Sequence, residues 1–329
     1  MTAEEAARDR AIANEKIKKG TYIPTGNVTV ANFIKQYVKD YAIPNLRKST
    51  VRKFEGIVRL YIAPNIGRIK LQDLKPLHIQ KLLNKVKRER TPTVVYQVMR
   101  TLRKILNKAI EWEIIEKSPM LRFKISLPSR TEHSILTPKQ LFELIDNLSG
   151  MDKYVVAIAG FTAMRRSEIF GLMWQDIDFN KNTLSLRRQF SDGEISPLKT
   201  EASKATIPIW PRLTRMLKEW RLQCRSFKWV FQGKGDKPYS PESWVSKRWS
   251  RIREEYNLPK DLRFHDLRHT FASIMFSEGV DIGDVQKLLR HASYRTTVDV
   301  YRHLLPNQLN KALKILDRLS IEHSKEHSG

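Results

Sequence analysis

Apolar positions recur with a helical period along most of this chain. Phe54, Ile57, Val58 and Tyr61 fall at i, i+3, i+4 and i+7, and Val95, Val98, Met99, Leu102, Ile105, Leu106, Ala109 and Ile110 keep that period over several turns. Residues 28–120 therefore predict a helical bundle. Before it, residues 3–19 read as a polar helix closed by Gly20, with Pro24 and Gly26 breaking the link to the bundle. Residues 126–134 are polar, carry Pro128 and separate two periodic regions, which predicts an interdomain linker. Thr137, Pro138 and Gln140 then supply an N-cap, a first-turn proline and a capping-box partner ahead of Leu141, Leu144 and Ile145. A further helix is predicted over about 152–164. The β signal follows: TLSLRRQF at 183–190, an Asp192-Gly193 turn, ISPLK at 195–199 and ATIPIW at 205–210, read as one three-stranded antiparallel sheet. Helices return at 240–255, opened by Ser240-Pro241, and continue to about 320. No internal repeat stands out. The fold class predicted is mainly α with a small antiparallel β-sheet, divided into 1–27, a helical domain at 28–125, a linker at 126–136 and an α+β domain at 137–329.

Charge narrows the choice of partner. The 329 residues carry 60 Lys+Arg against 35 Asp+Glu, a formal charge of +25. Residues 1–130 alone hold 28 basic against 11 acidic side chains, so the excess is concentrated in the helical part. A polyphosphate is the obvious compensating partner, ahead of an anionic membrane surface. No apolar run approaches the about 18 residues of a spanning helix, and the first ten residues are charged where a secretory signal is greasy. A cytoplasmic protein with no membrane partner is expected. Cys224, the single cysteine, cannot pair within the chain and reads as a packing residue. Arg100, Arg103, Lys104 and Lys108 lie off the apolar stripe of their helix, and Lys85, Lys87 and Arg88 precede it. An ordinary solvated face accounts for such charges; their common sign favours contact with nucleic-acid phosphates.

Four separated clusters carry candidate chemistry: 161–179, 196–209, 264–273 and 288–303. Arg165 and Glu168 are three apart among apolar residues, so the carboxylate can orient the guanidinium; the plain alternative is a surface ion pair. His265 and Arg268 repeat that spacing. His265 and His269 at i, i+4 are also half of a zinc site, but a cation adjoins the second histidine and no further ligand cluster completes it, so no metal is expected. His291 or Tyr301, each taken alone, is an ordinary packing residue.

Taken together, the clusters resemble the signatures of the tyrosine recombinase (phage-type integrase) family: the T-G-L-R-x-x-E helix, the hairpin lysine, H-x-x-R, and G-H-x-x-x-x-T-x-x-x-Y. On that match Arg165 is the first arginine, Lys199 the hairpin lysine, His265 and Arg268 the H-x-x-R pair, His291 the late histidine and Tyr301 the nucleophile. Residues 28–120 are similar to the family's core-binding domain, and residues 3–19 resemble the last helix of an arm-binding domain. Ala163 and Arg290 stand where the family commonly has glycine, and Arg290 is expected to add a cation near the phosphate.

The resemblance implies an integrase of a prophage or conjugative element that cuts and rejoins DNA through a 3′-phosphotyrosyl intermediate. Two guanidinium forks stabilise charge on the non-bridging oxygens, His291 adds a hydrogen bond, His265 accepts the phenol proton, and Lys199 protonates the leaving 5′ oxygen. Exchanging one phosphoester for another retains the bond energy, so no cofactor is expected. The implied partners are double-stranded DNA with specific attachment sites, three further copies of the chain in a tetramer on two duplexes, and DNA-bending accessory proteins. The segment with Leu309, Leu313, Leu316 and Leu319 or Ile315 reads as a short amphipathic helix; covering its own core is the plain alternative, and the resemblance implies exchange between neighbours. A type IB topoisomerase-like relaxing activity and a catalytically silent DNA-binding factor are the alternatives.

Overall fold

The structure is a computed structural model that describes residues 28–124, 134–198, 204–224 and 228–291. The chain divides into two compact units, the first reaching Thr131 and the second beginning at Glu132.

The described residues of the first unit form a bundle of four helices. Helix α1 starts at Val30–Tyr37 and runs through a π-helical turn, Val38–Ala42, to Ile43–Asn45. Helix α2 is built the same way from Lys48–Ile57, Val58–Ile62 and Ala63–Ile66. Helices α3 (Pro76–Glu89) and α4 (Pro92–Glu111) follow. Both π turns precede a proline, Pro44 or Pro64, which cannot donate to the carbonyl four residues back. In each case the next residue adds a side-chain bond one carbonyl further along: Asn45 Nδ2 donates to Tyr41 O at 2.9 Å, and Asn65 Nδ2 donates to Tyr61 O at 2.7 Å. The pentapeptides 41–45 and 61–65 thus form a short repeated device, where the sequence was expected to hold no repeat. The extra residue in the α2 turn also rotates its apolar stripe. Val51 and Phe54 are buried before it and Ile62 and Ile66 after it, while the predicted Ile57, Val58 and Tyr61 pack only at the edge of the core.

In the second unit, helix α5 (Pro138–Asn147) opens on the predicted cap: Thr137 Oγ1 accepts from Gln140 N at 3.2 Å, and Gln140 Oε1 accepts from Thr137 N at 2.9 Å. Helix α6 (Gly150–Thr162) is apolar on every side from Tyr154 to Phe161 and lies at the centre, touching α5, α8 (Pro211–Gln223) and α10 (Asp266–Ser277). Helix α7 (Arg166–Phe170) follows, then the strands, and α9 runs from Pro241–Trp244 through Val245–Trp249 to Ser250–Glu255. The last described helix is α11 (Ile282–Leu289).

The β region differs from expectation. Strands β1 (Ile177–Asp178), β2 (Thr183–Leu186) and β5 (Ala205–Pro208) form one antiparallel sheet in the order β1-β2-β5. Strands β3 (Arg188–Ser191) and β4 (Glu194–Pro197) form a separate hairpin. The predicted single strand 183–190 therefore breaks at Arg187. The Arg188 guanidinium is tied to Asp176, which also accepts from Met173 N, and this anchors the start of the hairpin away from β2. Asp192 and Gly193 both have positive φ, 54° and 75°, as the predicted hairpin turn requires. Gly171 lets the end of α7 press on this hairpin: a Cβ there would lie 3.1 Å from Gln189 Cα.

Candidate active site

Three helix ends meet on one side of the second unit. Helix α6 stops at Thr162, where Ala163 turns left-handed at φ 51°, and α11 stops at Leu289, where Arg290 does so at φ 54°. These are the two positions where the family commonly has glycine, the residue for which such a conformation is cheap. Helix α10 begins beside them at His265. A small core of Ala163, Ala272, Phe276, Val285 and Leu289 binds α10 and α11 to the end of α6.

Arg165 is not within a helix, as its spacing from Glu168 suggested, but at the N-cap of α7. Glu168 is buried, accepting Arg165 N at 2.9 Å through Oε2 and Arg165 Nη1 at 2.7 Å through Oε1. One carboxylate thus caps the helix and orients the guanidinium, about a third of whose side chain (31%) faces solvent. Arg268 is 3% exposed; its Nη1 donates to Ala163 O at 2.5 Å and its Nη2 to Leu289 O. Its planar fork therefore spans the carbonyl ends of α6 and α11, where helix dipoles favour a cation.

His265 is exposed and packs edge-on against His269, with ring centroids 5.6 Å apart. Loss of hydration first, then the charges of Arg268 and His269, lower its pKa from the usual 6.5 to about 4. His291 is half-buried beyond α11, its backbone braced by Gln286 Nε2 donating to His291 O at 3.1 Å. Desolvation and then Arg268 and Arg165 push its pKa down to about 3. Both rings are neutral at pH 7. The unfolded chain binds more protons than the folded one between these values and 6.5, so their contribution to stability is lost as pH falls from about 6.5 toward 4. Allowing for solvent screening, we expect a loss of roughly 1–2 kcal/mol. Urea unfolding at pH 7 and pH 5 checks this: His291→Gln should flatten the dependence, and an unchanged slope would contradict it.

Arg290, expected near a phosphate, turns inward and is 3% exposed. Lys199, Tyr301, residues 3–19, most of the linker and the segment from Leu309 lie outside the described residues. Burial raises the Cys224 thiol to about 11, in keeping with packing. In the first unit Lys85, Lys87, Arg88, Arg100 and Lys104 are exposed. The other two candidates for DNA contact are engaged locally: Arg103 Nη2 donates to Phe123 O at 2.7 Å, and Lys108 pairs with Glu111 at 2.7 Å and sits 3.8 Å above the Tyr41 ring. Among the described residues no three His, Cys, Asp or Glu side chains gather as metal ligands, and no helix is long and apolar enough to cross a membrane.

Comparison with known proteins agrees with this layout. The model of the phage integrase family matches residues 134–308, and that of the phage integrase N-terminal SAM-like domain matches 29–87. A tyrosine recombinase XerC-like protein of Caldanaerobacter subterraneus subsp. tengcongensis is 26% identical, over 97% of this chain and 90% of its own length. The ICEBs1 integrase of Bacillus subtilis is 26% identical, over 68% of this chain and 65% of its own length. The Tn1549 transposon integrase, solved with transposon right end DNA, has a similar fold: TM-score 0.73 at 18% identity, covering 86% of this chain and 99% of that one.

Proposed function

Since the chain belongs to the phage integrase family, whose model matches more than half of it, we propose that it is a site-specific DNA recombinase that cleaves one strand through Tyr301 and rejoins it to another. The observation that carries the site is the meeting of three helix ends, which gathers Arg165, His265, Arg268 and His291 from separate segments of the chain.

In this reading Arg165, oriented by Glu168, and Arg268 neutralise the non-bridging oxygens of the scissile phosphate as charge builds during in-line attack. His291, neutral before DNA arrives, donates one hydrogen bond to the same phosphate. A tyrosine hydroxyl has a pKa near ~10, so attack needs the proton removed. His265 is free to accept it, directly or through water, and the arriving phosphate charge makes both imidazoles more basic. Lys199, which follows strand β4, protonates the leaving 5′ oxygen. The products of the first step are a 3′-phosphotyrosyl bond and a free 5′ hydroxyl; attack by a 5′ hydroxyl on that bond restores the tyrosine.

The exposed Lys85, Lys87, Arg88, Arg100 and Lys104 grip the duplex through phosphates, giving affinity that falls steeply with salt. Four copies act on two duplexes carrying attachment sites, with DNA-bending proteins as helpers, in the cytoplasm. The test is a supercoiled plasmid bearing the two ends of the element from which the gene comes, incubated with the protein without nucleotide. Recombinant circles are expected. Relaxation on arbitrary DNA with no recombinants would replace this reading with a topoisomerase.

A further inference from the structure

We propose that Arg290 is a positioning residue that fixes the fork of Arg165 for the phosphate, acting through the shared carboxylate of Glu168 and through its own backbone carbonyl. The proposal rests on the reading of Arg165 as a phosphate-binding group.

A buried guanidinium is costly unless paired and hydrogen-bonded. Both Nη groups of Arg290 meet that requirement at the junction of the helix ends, while its buried Nε finds no partner. Its Nη1 donates to Leu288 O at 3.0 Å and Thr162 O at 3.4 Å, and its Nη2 donates to Ala163 O at 3.2 Å and Glu168 Oε2 at 3.3 Å. Glu168 therefore serves two arginines. Its Oε1 takes Arg165 Nη1, while its Oε2 takes both the Arg165 backbone N–H and Arg290 Nη2. Both carboxylate oxygens are thus occupied, and Nη2 of Arg165 reaches Arg290 O at 3.4 Å. One residue thus brackets Arg165 twice.

The backbone points the same way. Arg290 holds a left-handed conformation that suits glycine and strains a long side chain. That strain is set against side-chain bonds that glycine cannot make. Without the guanidinium, Oε2 keeps only the Arg165 backbone N–H, so the negative charge of the carboxylate is balanced by Arg165 alone and draws its fork from the phosphate. A positional error of this kind lowers the rate of the chemical step more than DNA affinity.

Arg290→Gly tests this, because glycine suits the backbone and the variant is expected to fold. In the full-length protein, single-turnover cleavage of a nicked suicide duplex should fall about 30-fold, with DNA affinity within about 3-fold of wild type. The same duplex carrying a methylphosphonate in place of the scissile phosphate lacks one charged oxygen. With the stereoisomer on which Arg165→Ala recovers, the Arg290→Gly defect should shrink to about 3-fold or less. Wild-type cleavage by Arg290→Gly, or a defect of equal size on both duplexes, would overturn the role of Arg290. Failure of Arg165→Ala to recover on either stereoisomer would instead remove the phosphate-binding reading of Arg165. Arg290→Lys, which keeps the charge but not the fork, should lie between glycine and wild type on the ordinary duplex.

Discussion

Tyr301→Phe should abolish the covalent protein–DNA adduct while leaving DNA binding within about 3-fold of wild type. The change removes one oxygen atom and leaves the ring, so packing and the charged neighbours of the phosphate are kept. Loss of a nucleophile of this type costs on the order of 10⁴-fold or more, because the remaining groups stabilise a transition state that cannot form. A nicked suicide duplex is the direct assay: cleavage releases a short strand and traps the enzyme. Wild type should yield a species that survives denaturant, and the variant none. Adduct with both proteins would move the nucleophile elsewhere. Adduct with neither would favour a DNA-binding protein that keeps the fold without the chemistry.

The second large effect is expected at Arg268, where catalysis and stability are joined. Arg268 is almost fully buried, and its fork donates to Ala163 O and Leu289 O at the ends of two helices. Lysine keeps the charge but presents a point donor that cannot reach both carbonyls. Arg268→Lys should therefore slow single-turnover cleavage by about 10²–10³-fold, the usual size for losing one preorganised donor to transition-state charge. It should also lower the unfolding free energy by roughly 2–4 kcal/mol, since buried carbonyls lose charged hydrogen bonds. Arg165→Lys is the contrasting case. That side chain is partly exposed and tied to Glu168, so cleavage should fall comparably with a stability loss of only about 1 kcal/mol. Urea unfolding and suicide-duplex kinetics on both variants separate the two effects. Cleavage by Arg268→Lys within a few-fold of wild type would take Arg268 out of the transition state.

Much of this architecture was legible in the chain wherever a short stretch decides its own conformation. The capping box of Thr137 and Gln140 and the Asp192-Gly193 turn are local chemistry, and both form as their residues require. Partner choice was not legible. Strand β2 pairs with β5 across more than a dozen intervening residues, and nothing in TLSLRRQF distinguishes that pairing from one with the hairpin. The seven basic residues near 85–108 also looked alike, yet Arg103 and Lys108 are engaged by Phe123, Glu111 and Tyr41, contacts that depend on how the helices and the following segment pack.

The candidate site divides along the same line. Residue types and their order along the chain, through the resemblance they carry, singled out Arg165, Arg268 and their neighbours as candidates, because a phosphoryl transfer needs such groups whatever the fold. Whether they meet, and in what orientation, was settled by the docking of α6, α10 and α11. Arg290 is the sharpest case. In the sequence it is a cation replacing a glycine beside a histidine and so appears aimed at DNA. In the structure the left-handed backbone sends its side chain inward to Glu168 and the Thr162 and Ala163 carbonyls, more than 120 residues away. Short-range sterics and capping are written residue by residue. The direction of a buried charge depends on the counter-charge that folding brings to it.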